Sequence, residues 1–218
     1  SKILKVLYTW KNAFKKKNLV DRAISEQIVN GLGKEVIDIC GVRRSGKSSL
    51  LVLLMRKLKL EDAEILFVNF EDPVFANDLD LELLDKIWEI YRININTNKE
   101  VYIFFDEIQL VTQWEKWIRK IRDLEIAKVF ITGSSSKLMS KEYGTALTGR
   151  HISFKLLPLS FNEYLDFKGT KIPKDEQSLI VNELNFRKHF NNYLKDGGFP
   201  EIVLSGNKTL LKNYFEDI

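Results

Sequence analysis

Residues 35–50 read EVIDICGVRRSGKSSL, and this stretch decides the fold. The apolar run 35–40 is typical of a buried strand, and it stops at a glycine. From Lys47 the leucines recur at helical spacing, which predicts a helix over residues 47–60. The loop between them, Gly41–Ser48, fits the pattern GxxxxGK[ST]. A strand, this loop and a helix in that order predict a phosphate-binding loop.

The loop pattern has a physical basis. Glycines at 41 and 46 let the backbone curl so that successive N–H groups face phosphate oxygens, and the start of the following helix adds positive potential. Lys47 is expected to reach the β- and γ-phosphates, and the Ser48 hydroxyl to bind Mg²⁺. The loop therefore predicts ATP and Mg²⁺ as ligands. An ordinary glycine turn with a solvated lysine is the alternative.

A second motif, Asp106–Glu107, ends the apolar strand 101–105. The second carboxylate that orients Mg²⁺ belongs at such a place in a P-loop enzyme, so Asp106 joins Ser48 as a predicted metal ligand. A carboxylate at 107 can polarise a water for attack on the γ-phosphate, which favours hydrolysis. The alternative is that two acids simply end a strand at the surface.

The remaining periodicity predicts further strands and helices that alternate along the chain. Alternation of this kind indicates a parallel sheet covered on both faces, with ligands at the carboxyl ends of the strands. In P-loop proteins with a catalytic glutamate, an extra strand lies between the two motif strands. The predicted fold is therefore an α/β P-loop NTPase with a five-stranded parallel sheet of order 5-1-4-3-2. The further strands are predicted at 63–70, 129–132 and 151–157, and the further helices at 79–91 and 113–125.

Three more residues are candidates for the site. Thr132 and Ser134 follow the fourth strand and could sense the γ-phosphate, although a serine-rich turn that caps a helix explains them equally well. Arg150 precedes the fifth strand and could supply positive charge to the transition state, in its own site or a neighbour's, or form a surface salt bridge. The predicted catalytic residues are Glu107, Lys47 and Arg150. The predicted nucleotide-binding residues are Gly41, Val42, Arg43, Arg44, Ser45, Gly46, Lys47, Ser48, Ser49, Thr132 and Ser134.

Composition narrows the class of protein. The chain has 218 residues, 44% of them hydrophobic, and a net charge of +4, which suit one α/β domain with a small addition. With one cysteine and no long apolar run, we expect a cytoplasmic protein without a membrane segment. The two histidines are isolated, which disfavours a zinc site. The lysine-rich start of the chain makes DNA a candidate partner, and a solvated helix face is the simpler explanation.

Together these motifs resemble the AAA+-type ATPases of archaea and bacteria, which are grouped with origin-recognition-like and STAND-related P-loop proteins. The most specific resemblances are TGSSS, LTGR, PLSFNEY and GGFPE. The strings that carry the resemblance are GVRRSGKSSL (41–50), NFED (69–72), FFDEIQ (104–109), ITGSSS (131–136), LTGR (147–150), LPLSFNEY (157–164) and GGFPE (197–201).

The resemblance implies a domain organisation. It implies a helical lead-in over 1–34, an ATPase core over 35–160 and a small helical lid over 161–218. Full-length members carry a further C-terminal region, so the lid is expected to be truncated here. The second lid arginine of AAA+ proteins cannot be assigned.

The resemblance also bears on function. It implies an ATPase whose ATP or ADP state is coupled to a partner, with DNA and a homo-oligomer as candidates. Two other functions are compatible with a phosphate-binding loop. A slow nucleotide switch with little turnover has the same fold and is the alternative to an ATPase. A small-molecule kinase is disfavoured by Glu107.

Overall fold

A computed structural model of the chain describes residues 1–96, 99–133 and 147–207. The chain divides into two compact units. The first comprises Ser1–Gly41 and Lys47–Lys155, and the second comprises Val42–Gly46 and the chain from Leu156 onward. Within the described ranges, no helix is both long enough and apolar enough to cross a lipid bilayer.

The first unit is built on one sheet of five parallel strands. Its strands lie in the order β2-β3-β4-β1-β5. Read from β5 to β2, this is the order 5-1-4-3-2, so the predicted strand order is confirmed. Because every strand runs the same way, all the carboxyl ends meet at one edge of the sheet. The strands are β1 (Val36–Cys40), β2 (Ile65–Asn69), β3 (Tyr102–Asp106), β4 (Lys128–Gly133) and β5 (His151–Lys155).

Among the described residues of the first unit, five α-helices accompany these strands. The predicted helices over 47–60, 79–91 and 113–125 are present, with ends that differ by a few residues. The helices are α1 (Lys2–Lys15), α2 (Ala23–Asn30), α3 (Lys47–Lys57), α4 (Leu81–Asn94) and α5 (Trp114–Asp123).

Strands β1 to β4 are largely buried on both faces of the sheet, whereas the edge strand β5 is partly exposed. All five residues of β1 are buried, as expected of a parallel strand covered on each side. On one face Phe104 and Phe130 of neighbouring strands stack with ring centroids 4.6 Å apart. On the other face Phe105 packs against Trp117 of α5 at 5.8 Å. Polar side chains at the carboxyl ends of these strands are therefore held by a rigid core.

The chain before β1 forms two helices, where the sequence predicted helical structure from Lys2 to Lys34. The guanidinium of Arg56 on α3 lies beside this break and donates to the carbonyl oxygens of Phe14 (2.8 Å) and Lys17 (2.7 Å). Phe14 belongs to the last turn of α1 and Lys17 follows its end, where backbone carbonyl groups have fewer partners within a helix. These contacts therefore hold the segment after α1 against α3.

The second unit is mainly helical. The α6 helix begins with a capping box, in which the Ser160 hydroxyl accepts the Glu163 N–H and the Glu163 carboxylate accepts the Ser160 N–H. Aromatic rings of Phe161, Tyr164 and Tyr193 pack together in this unit. Its described helices are α6 (Phe161–Phe167), α7 (Glu176–Val181), α8 (Glu183–Asp196) and α9 (Pro200–Ser205).

One glycine of the GGFPE string is required by close packing. A Cβ atom at Gly198 would lie 2.5 Å from the carbonyl oxygen of Leu159, which is closer than real Cβ contacts allow. The Leu159 N–H also donates to the Gly198 carbonyl at 2.6 Å. The PLSFNEY and GGFPE strings, far apart in sequence, therefore meet backbone to backbone.

Candidate functional site

The phosphate-loop sequence connects β1 to α3, as predicted. Two of its residues have left-handed backbone angles, Arg44 with φ of 65° and Gly46 with φ of 98°. Glycine adopts such angles without steric penalty, which explains the glycine at 46, whereas Arg44 costs roughly 1–2 kcal/mol. Ser45 N–H donates to the Val42 carbonyl at 3.3 Å and closes a turn inside the loop.

Lys47 is the first residue of α3, and its side chain is only 5% exposed. Its ammonium donates to the carbonyl oxygen of Gly41 at 3.2 Å and lies 3.5 Å from Oε1 of Glu107. A buried ammonium requires partners of this kind. The structure therefore places Lys47 beside both the end of β1 and the acidic pair.

Asp106 ends β3 and is almost completely buried, with 1% of its surface exposed. Burial raises the pKa of its carboxyl group, and hydrogen bonds from the Thr132 and Ser48 hydroxyls act in the opposite direction. Its Oδ2 atom has no hydrogen-bond partner among the residues that the structure describes. A buried carboxylate oxygen without a donor is costly unless a cation compensates it.

These observations allow a test of whether Mg²⁺ fits the site. The cation prefers hard oxygen ligands and keeps several waters, so one carboxylate and one hydroxyl from the protein suffice. Asp106 Oδ2 and the hydroxyl of Ser48, which lowers the pKa of the same carboxyl group, are such a pair. The residues fit the predicted ion.

Thr132 is fully buried near the end of β4, and its hydroxyl joins the two acidic residues. The hydroxyl donates to Oδ1 of Asp106 and accepts the backbone N–H of Glu107 at 3.1 Å. Its single proton is therefore committed to Asp106. In this structure Thr132 orients the acidic pair, and it has no proton left to donate to a phosphate.

Glu107 has an unusual backbone and two side-chain partners. Its φ of 56° and ψ of 43° are left-handed, a conformation that residues other than glycine seldom adopt and that is found at functional sites more often than elsewhere. Lys47 lies 3.5 Å from its Oε1, and the Gln109 amide donates to its Oε2 at 2.5 Å. No role for Gln109 was predicted from the sequence. Its position two residues after Glu107 in FFDEIQ could have indicated this contact.

Arg150 lies elsewhere. It directly precedes β5, whose first residue pairs with Val36 at the start of β1. Arg150 is therefore level with Glu35, six residues before Gly41, which places it about 20 Å along the sheet from Gly41. Its Nε donates to Asp123 at 3.1 Å. The structure thus gives Arg150 the salt bridge and does not bring it to the site of its own chain.

Three other predicted nucleotide-binding residues are Val42, Ser49 and Ser134. Ser49 lies half-buried in α3, and Val42 packs against Phe199 and Ile202 within the second unit. This contact connects the phosphate loop with the GGFPE segment. Ser134 lies outside the described residues.

The sequence model of a family described as AAA domain matches residues 33–165. An uncharacterized protein of Methanocaldococcus jannaschii is 36% identical over 94% of this chain and 44% of its own length. One from Haemophilus influenzae is 34% identical over 83% of this chain and 44% of its own length. The chain therefore spans less than half the length of these two relatives.

A likeness to a solved structure shows the fold alone. The crystal structure of a DNA replication initiation factor aligns with 89% of this chain and 60% of that chain, with a TM-score of 0.52 and 15% identity.

Proposed function

This chain belongs to the AAA domain family of nucleotide-binding P-loop ATPases, and from that premise we propose that it hydrolyses ATP in the presence of Mg²⁺. One observation carries the proposal: Lys47, Asp106 and Glu107 lie together at the carboxyl edge of the sheet, with Lys47 Nζ 3.5 Å from the Glu107 carboxylate. A phosphate-binding lysine next to a metal-ligating acid and a general base is the set that ATP hydrolysis needs.

Each residue has a distinct role in the proposed reaction. The backbone N–H groups of the phosphate loop and the Lys47 ammonium bind and orient the phosphates. Ser48 and Asp106 hold Mg²⁺, which when bound neutralises charge on the β- and γ-phosphate oxygens. Glu107 accepts the proton of the attacking water at its carboxylate.

Glu107 can act as a base only if one of its oxygens is available to water. In this structure Lys47 and Gln109 engage one oxygen each. A phosphate group competes for the same ammonium, because a multiply charged anion attracts Lys47 more strongly than one carboxylate does. We propose that binding of the nucleotide draws Lys47 from Oε1, while Gln109 continues to orient Oε2.

The experiment measures steady-state phosphate release with ATP and Mg²⁺, comparing the wild type with Glu107→Gln. We expect a loss of about 100-fold or more, because general bases contribute roughly 10²–10⁴-fold to a rate. Glu89→Gln on the exposed surface of α4 is the matched control and should leave the rate unchanged. ATP binding is measured in parallel, for example by calorimetry.

A slow nucleotide switch is the second candidate, and the two contacts of Glu107 favour it. If Lys47 and Gln109 stay in contact with the two carboxylate oxygens of Glu107 after ATP binds, ATP hydrolysis will be slow. The bound nucleotide will then act by determining the shape of a surface that a partner binds. Equal, slow phosphate release by wild type and Glu107→Gln, with tight ATP binding by both, would support the switch and reject the enzyme.

Coupling to a partner is a further part of the proposal. Duplex DNA and a second copy of the chain are the candidate partners, the former because α1 and the residues after it are rich in lysine. Binding of duplex that weakens as salt rises would support the first, since it reports release of counterions by lysine contacts. Absence of binding at low salt would reject DNA. Sedimentation with and without ATP tests self-association.

A further inference from the structure

An apolar cavity of about 350 Å³ lies in the first unit, between α1, the end of α3, β2 and α4. Small-molecule sites in proteins have volumes of roughly 300–1,000 Å³ and are lined mainly by apolar and aromatic side chains. The cavity meets both conditions. Its apolar wall includes Leu7, Phe14, Val52, Phe67, Tyr91 and Ile95.

The charged residues that line this cavity are mostly basic. Lys11, Lys15, Arg56 and Lys59 contribute four positive charges, and Asp62 contributes one negative charge. The excess of positive charge favours a ligand that carries an anion.

The existing contacts show which cation a ligand can use. Asp62 accepts a hydrogen bond from Lys15 at 2.7 Å and lies 3.8 Å from Lys11. Arg56 is held by two backbone carbonyl groups of the α1 end. Lys59 is exposed and forms no ion pair with any residue in the described ranges. Lys59 is therefore the cation best placed to meet an incoming anion.

We propose that this cavity binds a single-chain amphiphile with an anionic head, such as a medium-chain fatty acid, with the chain in the apolar part and the carboxylate at Lys59. This inference is independent of the proposed ATPase activity. A nucleic acid could contact the same lysines but would leave the apolar part of the cavity empty. A neutral apolar molecule would fill the cavity but could not form an ion pair with Lys59.

Calorimetric titration of the whole chain with octanoate, decanoate and dodecanoate, below their micelle concentrations, tests the proposal. Affinity should rise by about fourfold per added CH₂ group until the cavity is full, because each buried CH₂ contributes that factor. Dodecyltrimethylammonium has a chain of the same length with a cationic head, so it should bind at least threefold to fivefold more weakly than dodecanoate.

Two substitutions locate the site. Lys59→Gln should weaken dodecanoate binding about threefold to fivefold, as expected for one exposed ion pair. Lys16→Gln removes a lysine that is also exposed but does not line the cavity, and it should bind like the wild type. Val52→Phe should fill the space and abolish binding, while ADP binding stays unchanged.

Three results would overturn the proposal. They are affinity that does not depend on chain length, equal effects of the two lysine substitutions, and equal binding of the cationic amphiphile. If Val52→Phe does not fold, the lysine pair and the head-group comparison still decide. Failure of ATP hydrolysis would leave these titrations unaffected, so the two proposals fail separately.

Discussion

Replacing Thr132 by Val tests how the acidic pair is held in place. Valine has nearly the shape of threonine but no hydroxyl, so the substitution removes the link between Asp106 and Glu107 and leaves the packing of β4 largely intact. The Thr132 side chain is fully buried, so water cannot take the place of the missing hydroxyl. The Asp106 carboxylate and the Glu107 N–H both lose a partner.

The expected loss of stability follows from these two bonds. A hydrogen bond to a charged group contributes about 1.5–3 kcal/mol, and a buried N–H left without an acceptor costs about 1–3 kcal/mol. We expect a loss of about 3 kcal/mol in total, which lies within the combined range of these two contributions. For a chain of this size the melting temperature should fall by about 6–12 °C.

Urea unfolding followed by tryptophan fluorescence is the suitable assay. All four tryptophans lie in the first unit, the unit that contains Thr132, so the signal reports unfolding of that unit. Thr132→Ser is the matched control, because it keeps the hydroxyl and loses one methyl group at a cost of about 1 kcal/mol. Phosphate release should follow the same order, with the serine variant close to wild type and the valine variant strongly impaired.

Equal stability of the two variants would refute this reasoning. If Thr132→Val unfolds within about 0.5 kcal/mol of Thr132→Ser, the hydroxyl does not hold the acidic pair. Normal stability together with weakened ATP binding would instead favour the γ-phosphate sensor that the sequence suggested.

Three further predictions concern other parts of the chain. Gly198→Ala should destabilise the second unit by about 1–3 kcal/mol, because the new methyl group meets the Leu159 carbonyl. Gly169→Ala, where space is open, should cost only about 1 kcal/mol. Thermal unfolding followed by far-UV circular dichroism measures both, since the helices of the second unit contribute to that signal. Arg150→Gln should leave phosphate release unchanged in dilute samples, and a loss that grows with protein concentration would reveal a role in a neighbouring copy. The hydrogen bond from Lys15 lowers the pKa of the Asp62 carboxyl group, so Asp62→Asn should destabilise the protein at neutral pH. The difference in the free energy of unfolding between this variant and the wild type should vanish as the pH falls below 3.8, because Asp62 is then protonated. Urea titrations at a series of pH values measure this difference.

Much of the fold could be predicted because its signals are local. The strand, loop and helix around Gly41–Ser48 follow from hydrophobic period and glycine positions within sixteen residues, 35–50. Because Asp106 follows an apolar run, it was predicted to lie at the carboxyl end of a strand, where ligands bind in parallel sheets. The position of Arg150 could have been found in the same way, since a residue that precedes a parallel strand lies at the opposite edge.

The helical lead-in shows where local signals fail. Periodicity alone allowed one helical region from Lys2 to Lys34, but α1 ends at Lys15, beside the Phe14 and Lys17 carbonyl groups that Arg56 binds. This contact joins residues about forty positions apart, and no pattern within a window of the sequence contains it.

The sequence by itself predicted the chemistry of the site: a lysine and backbone N–H groups suited to phosphate, oxygens suited to Mg²⁺ and a carboxylate suited to act as a base. Residue type and spacing are enough for that, because they fix charge, protonation and local backbone conformation. Only the tertiary structure decided how these groups are used. It committed the Thr132 proton to Asp106, set Lys47 and Gln109 on Glu107, and paired Arg150 with Asp123. Those contacts depend on strand register and side-chain direction, which are set by the packing of the whole core and not by neighbours in sequence.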